Sequence, residues 1–221
     1  MSLLKKKISS GNIKTKHFYY FKNYLGNQSS FRNKKFDEFL LGFDSASGSV
    51  YNLDRTVTLL KRTLNFLKLL KKEDKQLLIV GTSLKSQKLT KLIGESTSNP
   101  YVQRRWLKGL LTNWENISSS IKFFNLFLKK LSLTKKRESK LKETFDGLKS
   151  LDSLPDALLF VDLDSNSEVI REANKLNIPI IAIIDNNYKD IEKIDYPIIS
   201  NTNSPLPLFL VVSLIINTLK N

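Results

Sequence analysis

Three stretches of this chain are apolar at every position and stop on a polar residue, and no other feature limits its fold as much. Leu77-Leu78-Ile79-Val80 ends at Gly81-Thr82-Ser83, Ala157-Leu158-Leu159-Phe160-Val161 ends at Asp162, and the run from Ile178 to Ile184 ends at Asp185. A strand with one face in water alternates, so a run that is apolar throughout is buried on both faces, as in a parallel sheet. Tyr101-Val102 after Pro100, and Tyr196-Pro197-Ile198-Ile199, are predicted as two shorter strands. Between them lie helical patterns. Val57, Leu60, Leu64, Leu67 and Leu70 recur at helical spacing, with Asp54 as the expected N-cap. Further helices are predicted to start near Ser83, to cover Glu168–Leu176, and to close the chain over 205–219. Strand–helix alternation of this kind predicts an α/β fold with a doubly wound parallel sheet.

Two segments depart from the alternation. Residues 1–36 are polar and basic with scattered aromatics (Phe18, Tyr19, Tyr20, Phe21, Tyr24), and read as an arm that lies along something else, ahead of an α/β domain over 37–221. Residues 121–150 hold two charged helical stretches, 121–131 and 135–148, and read as an inserted helical hairpin with Lys135-Lys136-Arg137 near its tip.

Charge narrows the function. The formal net charge is +15, and it is unevenly placed. Residues 1–150 hold 31 Lys/Arg against 11 Asp/Glu, a balance of +20, whereas residues 151–221 hold 5 against 10, a balance of −5. Such a split predicts one basic face turned towards a polyanion, with the helices around 168–176 and 206–219 turned away from it, towards solvent, the protein core or a protein neighbour. A membrane is a poor candidate for that polyanion. The longest apolar run, Leu206 to Leu219, spans 14 residues and is broken by Pro207, Ser213 and Asn217, whereas a spanning helix needs roughly 20. The chain has no cysteine, which excludes disulfides and thiolate metal sites. Lys outnumbers Arg 29 to 7 and Asn, Ile and Phe are abundant, the bias that an AT-rich genome imposes.

Three places have residues suited to chemistry. Val80-Gly81-Thr82-Ser83 before a helix is suited to holding a phosphate, yet it lacks the Lys-Ser/Thr of a nucleotide loop, and a single glycine at a tight turn has a structural reading too. Of Asp162, Asp164 and Asp185, two end neighbouring predicted strands, where open α/β sheets place active sites and where clustered carboxylates can hold Mg²⁺. No nucleophile–base pair accompanies them, His17 is the sole histidine, and helix capping and turn formation explain Asp164 and Asp185 equally well. The third place, Gln103-Arg104-Arg105-Trp106-Leu107-Lys108-Gly109, joins arginines that fork onto phosphate with an indole able to stack on a base or to cover a core edge.

The last segment also carries a family resemblance. Pro100-Tyr101-Val102-Gln103-Arg104-Arg105-Trp106-Leu107-Lys108-Gly109-Leu110-Leu111-Thr112-Asn113-Trp114 closely resembles the signature of the universal small-subunit ribosomal protein two family, roughly Val-Asn-x-Arg-Trp-Leu-Gly-Gly-Leu-Leu-Thr-Asn. Leu154-Pro155-Asp156-Ala157 resembles the family's Leu-Pro-Asp-Ala block. Glu172-Ala173-Asn174-Lys175-Leu176-Asn177-Ile178-Pro179, continuing to Asp185 and Asn187, resembles its Glu-Ala-x-x-Leu-Gly-Ile-Pro block with the later Asp-Thr-Asn. The resemblance runs from about Tyr24 to the end. It implies a flavodoxin-like domain, no cofactor and no enzymatic activity, and a structural role in the small ribosomal subunit against ribosomal RNA and neighbouring ribosomal proteins. Departures are specific. The family's His-Phe-Gly-His-Gln stands here as Tyr24-Leu25-Gly26-Asn27-Gln28, Lys108 replaces the first glycine of the Gly-Gly pair, and the hairpin is short. Reduction of this kind, with the compositional bias, implies an organellar member, mitochondrial in preference to plastid or bacterial.

The residues expected to meet RNA fall into three groups. They are Lys22, Gln28, Arg32, Lys34 and Lys35 in the amino-terminal part, Lys85 and Lys88 after the first long strand, and Arg104, Arg105, Trp106, Lys108 and Asn113 in the signature. The rival from another class is a metal-dependent phosphoryl-transfer enzyme built on Asp162, Asp164 and Asp185. A free-standing RNA-binding module is a third reading, and differs from the first only in whether the protein sediments with ribosomes.

Overall fold

The structure is a computed structural model that describes residues 15–26, 33–44, 48–127, 145–163 and 168–220. Its helices are α1 (Thr15–Tyr20), α2 (Leu53–Lys72), α3 (Gln87–Thr97), α4 (Trp114–Phe127), α5 (Glu168–Lys175) and α6 (Pro205–Lys220). Its strands are β1 (Leu40–Asp44), β2 (Gly48–Tyr51), β3 (Leu77–Val80), β4 (Tyr101–Val102), β5 (Ala157–Phe160), β6 (Ile180–Ile184) and β7 (Tyr196–Ile199). β1 and β2 form an antiparallel hairpin, and the other five form a parallel sheet in the order β4-β3-β5-β6-β7. Counting these five along the chain, the order is second, first, third, fourth, fifth. That is the flavodoxin-like arrangement, with its switch point between β3 and β5.

The apolar runs became strands because each residue finds a core on its own side. Leu77 and Ile79 join one cluster with Val57, Leu60, Leu64 and Leu67 of α2, Ile93 of α3 and the buried residues of α6. Leu78 and Val80 point the other way, into a cluster with Trp106, Leu110, Leu111, Val169, Ile170 and Ala173. The sheet is therefore covered on both faces. α6 buries Leu208, Leu210, Val211, Val212, Leu214 and Ile215, as expected of a core helix, and among the described residues no helix is long and apolar enough to cross a membrane.

Several expectations need correction. The N-cap of α2 is Asn52, whose Oδ1 accepts from the backbone N–H of Asp54 at 3.1 Å and of Arg55 at 3.3 Å; Asp54 stands inside the first turn. α3 starts at Gln87, because Ser83–Ser86 form a hydrogen-bonded turn first. α4 begins at Trp114, ahead of the predicted hairpin arm; residues 128–144, with Lys135-Lys136-Arg137, lie outside the described residues, and the end of the second predicted arm is a 3-10 turn over Asp146–Leu148. The β1–β2 hairpin was not predicted at all. Nor is the amino-terminal segment without a part in the core. Phe18 of α1 is buried against α2, and Phe36, within a 3-10 turn over Lys34–Phe39, is fully buried on the opposite face of the sheet.

Candidate nucleic-acid interface

The signature segment leaves the end of β4 and crosses the carboxyl edge of the sheet at the switch point. Arg104, Arg105, Trp106 and Lys108 line a cleft there of about 330 Å³, together with Val80, Thr82, Asp162 and Glu168. Arg104, Arg105 and Lys108 are exposed. Trp106 is 8 % exposed, and its indole Nε1 donates to Glu172 Oε1 at 2.9 Å. The expected stacking of Trp106 on a base is therefore corrected to the core-edge role: too little of the ring is open for a base to cover.

Glu172 is the residue that holds this loop. Its carboxylate, 9 % exposed, accepts from Trp106 Nε1, from the backbone N–H of Gly109 at 2.8 Å, and on its other oxygen from those of Leu111 at 3.0 Å and Thr112 at 3.4 Å. A buried carboxylate is costly unless hydrogen bonds replace its water, and here donors from one loop converge on it. Gly109 permits the geometry. Its φ is +82°, in the region that side chains disfavour, and a Cβ there would stand 3.2 Å from that of Asn113. The Trp-Leu-Lys-Gly-Leu-Leu-Thr block and the Glu-Ala block are thus two halves of one contact. Sequence reading missed Glu172. The available signal was a carboxylate on the apolar stripe of α5, beside Val169, Ile170 and Ala173.

α5, from the acidic portion of the chain, packs beneath the basic loop, with Glu172 turned to the protein core. Glu168 of α5 pairs with Lys108 at 2.7 Å, with both side chains largely exposed. Such a pair is worth little in water, so Lys108 can exchange it for a phosphate.

The candidate carboxylates are occupied by local structure. Asp162 accepts from the Ser83 hydroxyl. Asp185 accepts from Thr202 Oγ1 at 2.7 Å and from the backbone N–H of Asn187 at 3.1 Å, the turn role foreseen for it. Asp164 lies outside the described residues, and among the described residues no three His, Asp or Glu side chains converge in a way suited to a metal. Gly81 has the structural reading: a Cβ there would stand 1.9 Å from Thr90 Oγ1.

The remaining cations are dispersed. Lys85 lines a second cavity beside the first, which shares Asp162 and Leu163 with it, and donates to Asn203 Oδ1 at 2.8 Å. Lys88 is exposed on α3 and Asn113 is exposed just ahead of α4. Lys22, Lys34 and Lys35 are exposed in the amino-terminal part and do not line either cavity. Lys35 pairs with Glu192 at 2.7 Å, and that hydrogen bond holds the Glu192 carboxyl below its usual range. Gln28 and Arg32 lie outside the described residues.

A second polar anchor ties the amino-terminal part to the sheet. Asn186 is fully buried; its Nδ2 donates to Ser49 Oγ at 2.9 Å, and its Oδ1 accepts from Tyr51 Oη at 3.1 Å. The carbonyl of Asn186 accepts from the Asn33 N–H, while Asn33 Nδ2 reaches the carbonyls of Tyr188 and Lys189 at 3.0 and 2.9 Å. Burial pushes the Tyr51 hydroxyl well above its ordinary pKa. Sequence reading took Asp185 as a turn residue and matched Asp185 and Asn187 to a family block, without assigning Asn186 a role.

Fold and site together define a doubly wound α/β protein whose switch-point cleft is bordered by a cationic loop that a buried carboxylate holds in place. A family model described as ribosomal protein S2 matches residues 21–221, and the chain belongs to that family. Three bacterial relatives carry the description small ribosomal subunit protein uS2. The protein of Marinobacter nauticus is 33 % identical over 208 residues, covering 88 % of this chain and 82 % of its own. That of Hahella chejuensis is 32 % identical over 194 residues, covering 82 % and 76 %, and that of Saccharophagus degradans is 33 % identical over 194 residues, covering 82 % and 78 %. All three relatives are bacterial and lend no support to the mitochondrial placement expected from the shortened hairpin and the composition.

Proposed function

We propose that this chain is a structural component of the small ribosomal subunit and docks on ribosomal RNA without performing a reaction. The observation that carries the reading is the Arg104, Arg105 and Lys108 cluster, presented at the switch point by a loop that Glu172 fixes from beneath. In many doubly wound proteins that cleft takes a small ligand. Here its rim offers guanidinium forks and an ammonium, groups suited to backbone phosphates of an RNA. The relatives' description supplies the subunit, and neighbouring small-subunit proteins are the expected protein partners.

Sedimentation of a lysate of the source cells tests this. The chain should travel with small subunits and move to the top of the gradient after ribonuclease treatment. A chain found only as free protein would contradict the ribosomal reading, and Mg²⁺-dependent phosphatase turnover lost in Asp162→Asn would favour the enzymatic rival.

A further inference from the structure

α1 turns two tyrosines outward from a part of the chain that holds no acid. Residues 1–36 carry nine Lys/Arg and no Asp or Glu. Phe18, 2 % exposed, seats the helix against α2, while Tyr19 and Tyr20 are 61 % and 78 % exposed. Tyr19 lies over the ring of Tyr24, with centroids 5.0 Å apart and planes at 15°. The carbonyl of Tyr24 accepts from the Tyr51 N–H at 2.8 Å, so the second ring of the stack stands on backbone tied to β2. Lys16 and Lys22, both exposed, flank the pair.

We propose that Tyr20, beside the Tyr19–Tyr24 stack, is a platform for an unpaired RNA base whose flanking phosphates meet Lys16 and Lys22. The inference rests on the RNA-binding reading above and extends it to a second site of a different kind. Three observations favour it. A ring this exposed adds little to the fold. Any base presents a π-face to an aromatic ring, and cations beside the ring serve the strand's backbone. A segment with nine cations and no acid suits a polyanion and would repel a basic protein. The exposed Leu41 and Phe43 of β1 lack that setting, standing within a few residues of Asp37, Glu38 and Asp44. A duplex hides its base faces, so the ligand is single-stranded.

The test uses the full chain with a short single-stranded oligoadenylate and, separately, an RNA duplex of equal length. Tyr20→Ala should bind the single strand about tenfold more weakly than the parent, with an unchanged salt slope. Tyr20→Phe should stay within about twofold of the parent, and duplex binding should be the same for all three proteins. Tyr20 is too exposed for its loss to unfold the domain, and an unchanged thermal midpoint will show that. Equal single-strand affinity for Tyr20→Ala and the parent would overturn the platform while leaving RNA binding intact. A parent that binds neither RNA would overturn both readings. An equal loss in Tyr20→Phe and Tyr20→Ala would assign the contact to the hydroxyl and contradict stacking. In assembled subunits, ultraviolet crosslinking should give nucleotide adducts on Tyr20; crosslinks to protein alone would make this a protein contact.

Discussion

The two faces of the five-stranded sheet are held by different chemistry. On one, α2, α3 and α6 lay aliphatic side chains over Leu77, Ile79, Leu159, Ile181 and Ile183. The buried threonines there, Thr56 and Thr63, satisfy themselves on carbonyls of their own helix. The other face is also apolar at its centre, but its rim carries two buried polar anchors. Glu172 gathers the loop over 106–112, and Asn186 gathers β2 and the segment around Asn33. The aliphatic face sets the architecture. The anchored face sets where two exposed loops lie, and those loops bear Arg104, Arg105, Lys108, Lys34 and Lys35.

If that division is right, damage to the aliphatic face costs the most stability and leaves recognition alone. Leu67 is fully buried on α2. Leu67→Ala should lower unfolding stability by about 3 kcal/mol in urea denaturation, with the salt slope of RNA binding unchanged. A changed slope would mean that the faces are not separable.

Glu172→Ala comes next. It leaves several N–H donors facing a cavity, at a cost of about 2 kcal/mol. It should also speed hydrogen exchange at the amides of Gly109, Leu111 and Thr112, which Leu67→Ala should not do below the global unfolding limit. Protected loop amides in Glu172→Ala would show that the carboxylate is not the anchor.

Asn186→Ala should cost about 1 kcal/mol and loosen the other anchored region, seen as faster exchange at Asn33. Unaltered exchange there would detach Asn33 from the anchor.

The smallest effect belongs to Tyr188. Its hydroxyl is buried without a hydrogen-bond partner among the described residues, and burial, with the charges of Asp190 and Glu192, pushes its pKa up to about 12. An unfolded tyrosine loses its proton near its ordinary value of 10.0, where the folded one keeps it. Folded stability is thus unaffected by this group below that pH and falls as pH rises towards 12. Tyr188→Phe should match or slightly exceed the parent at neutral pH, and should lose less stability in alkaline titration. An alkaline loss equal to the parent's would remove Tyr188 as a contributor.

The same contrast decides what the sequence disclosed. The aliphatic face writes itself in periodic residues, so β3, β5, β6 and the stripe from Val57 to Leu70 could be read directly. Single polar anchors have no period. Glu172 looked like one more surface acid of α5, and it became legible only when the backbone donors of a loop more than fifty residues earlier were seen to converge on it. Trp106 was ambiguous for the same reason, since an indole suits a base or a carboxylate partner. The β1–β2 hairpin escaped because Leu40–Asp44 and Gly48–Tyr51 are short and neither alternates cleanly. Charge summed over the sequence says nothing of contacts within the chain, and at α5 acids hold the basic loop in place.

The central claim is that Arg104, Arg105 and Lys108, on the loop fixed by Glu172, meet the phosphates of ribosomal RNA. The most direct test is the salt dependence of small-subunit ribosomal RNA binding by the parent and by a variant with all three residues changed to Ala. Every phosphate that the variant no longer neutralises should take roughly 0.7–0.9 off the slope of log affinity against log salt, so the variant should be shallower by about two. Equal slopes for the two proteins would show that this loop does not touch RNA.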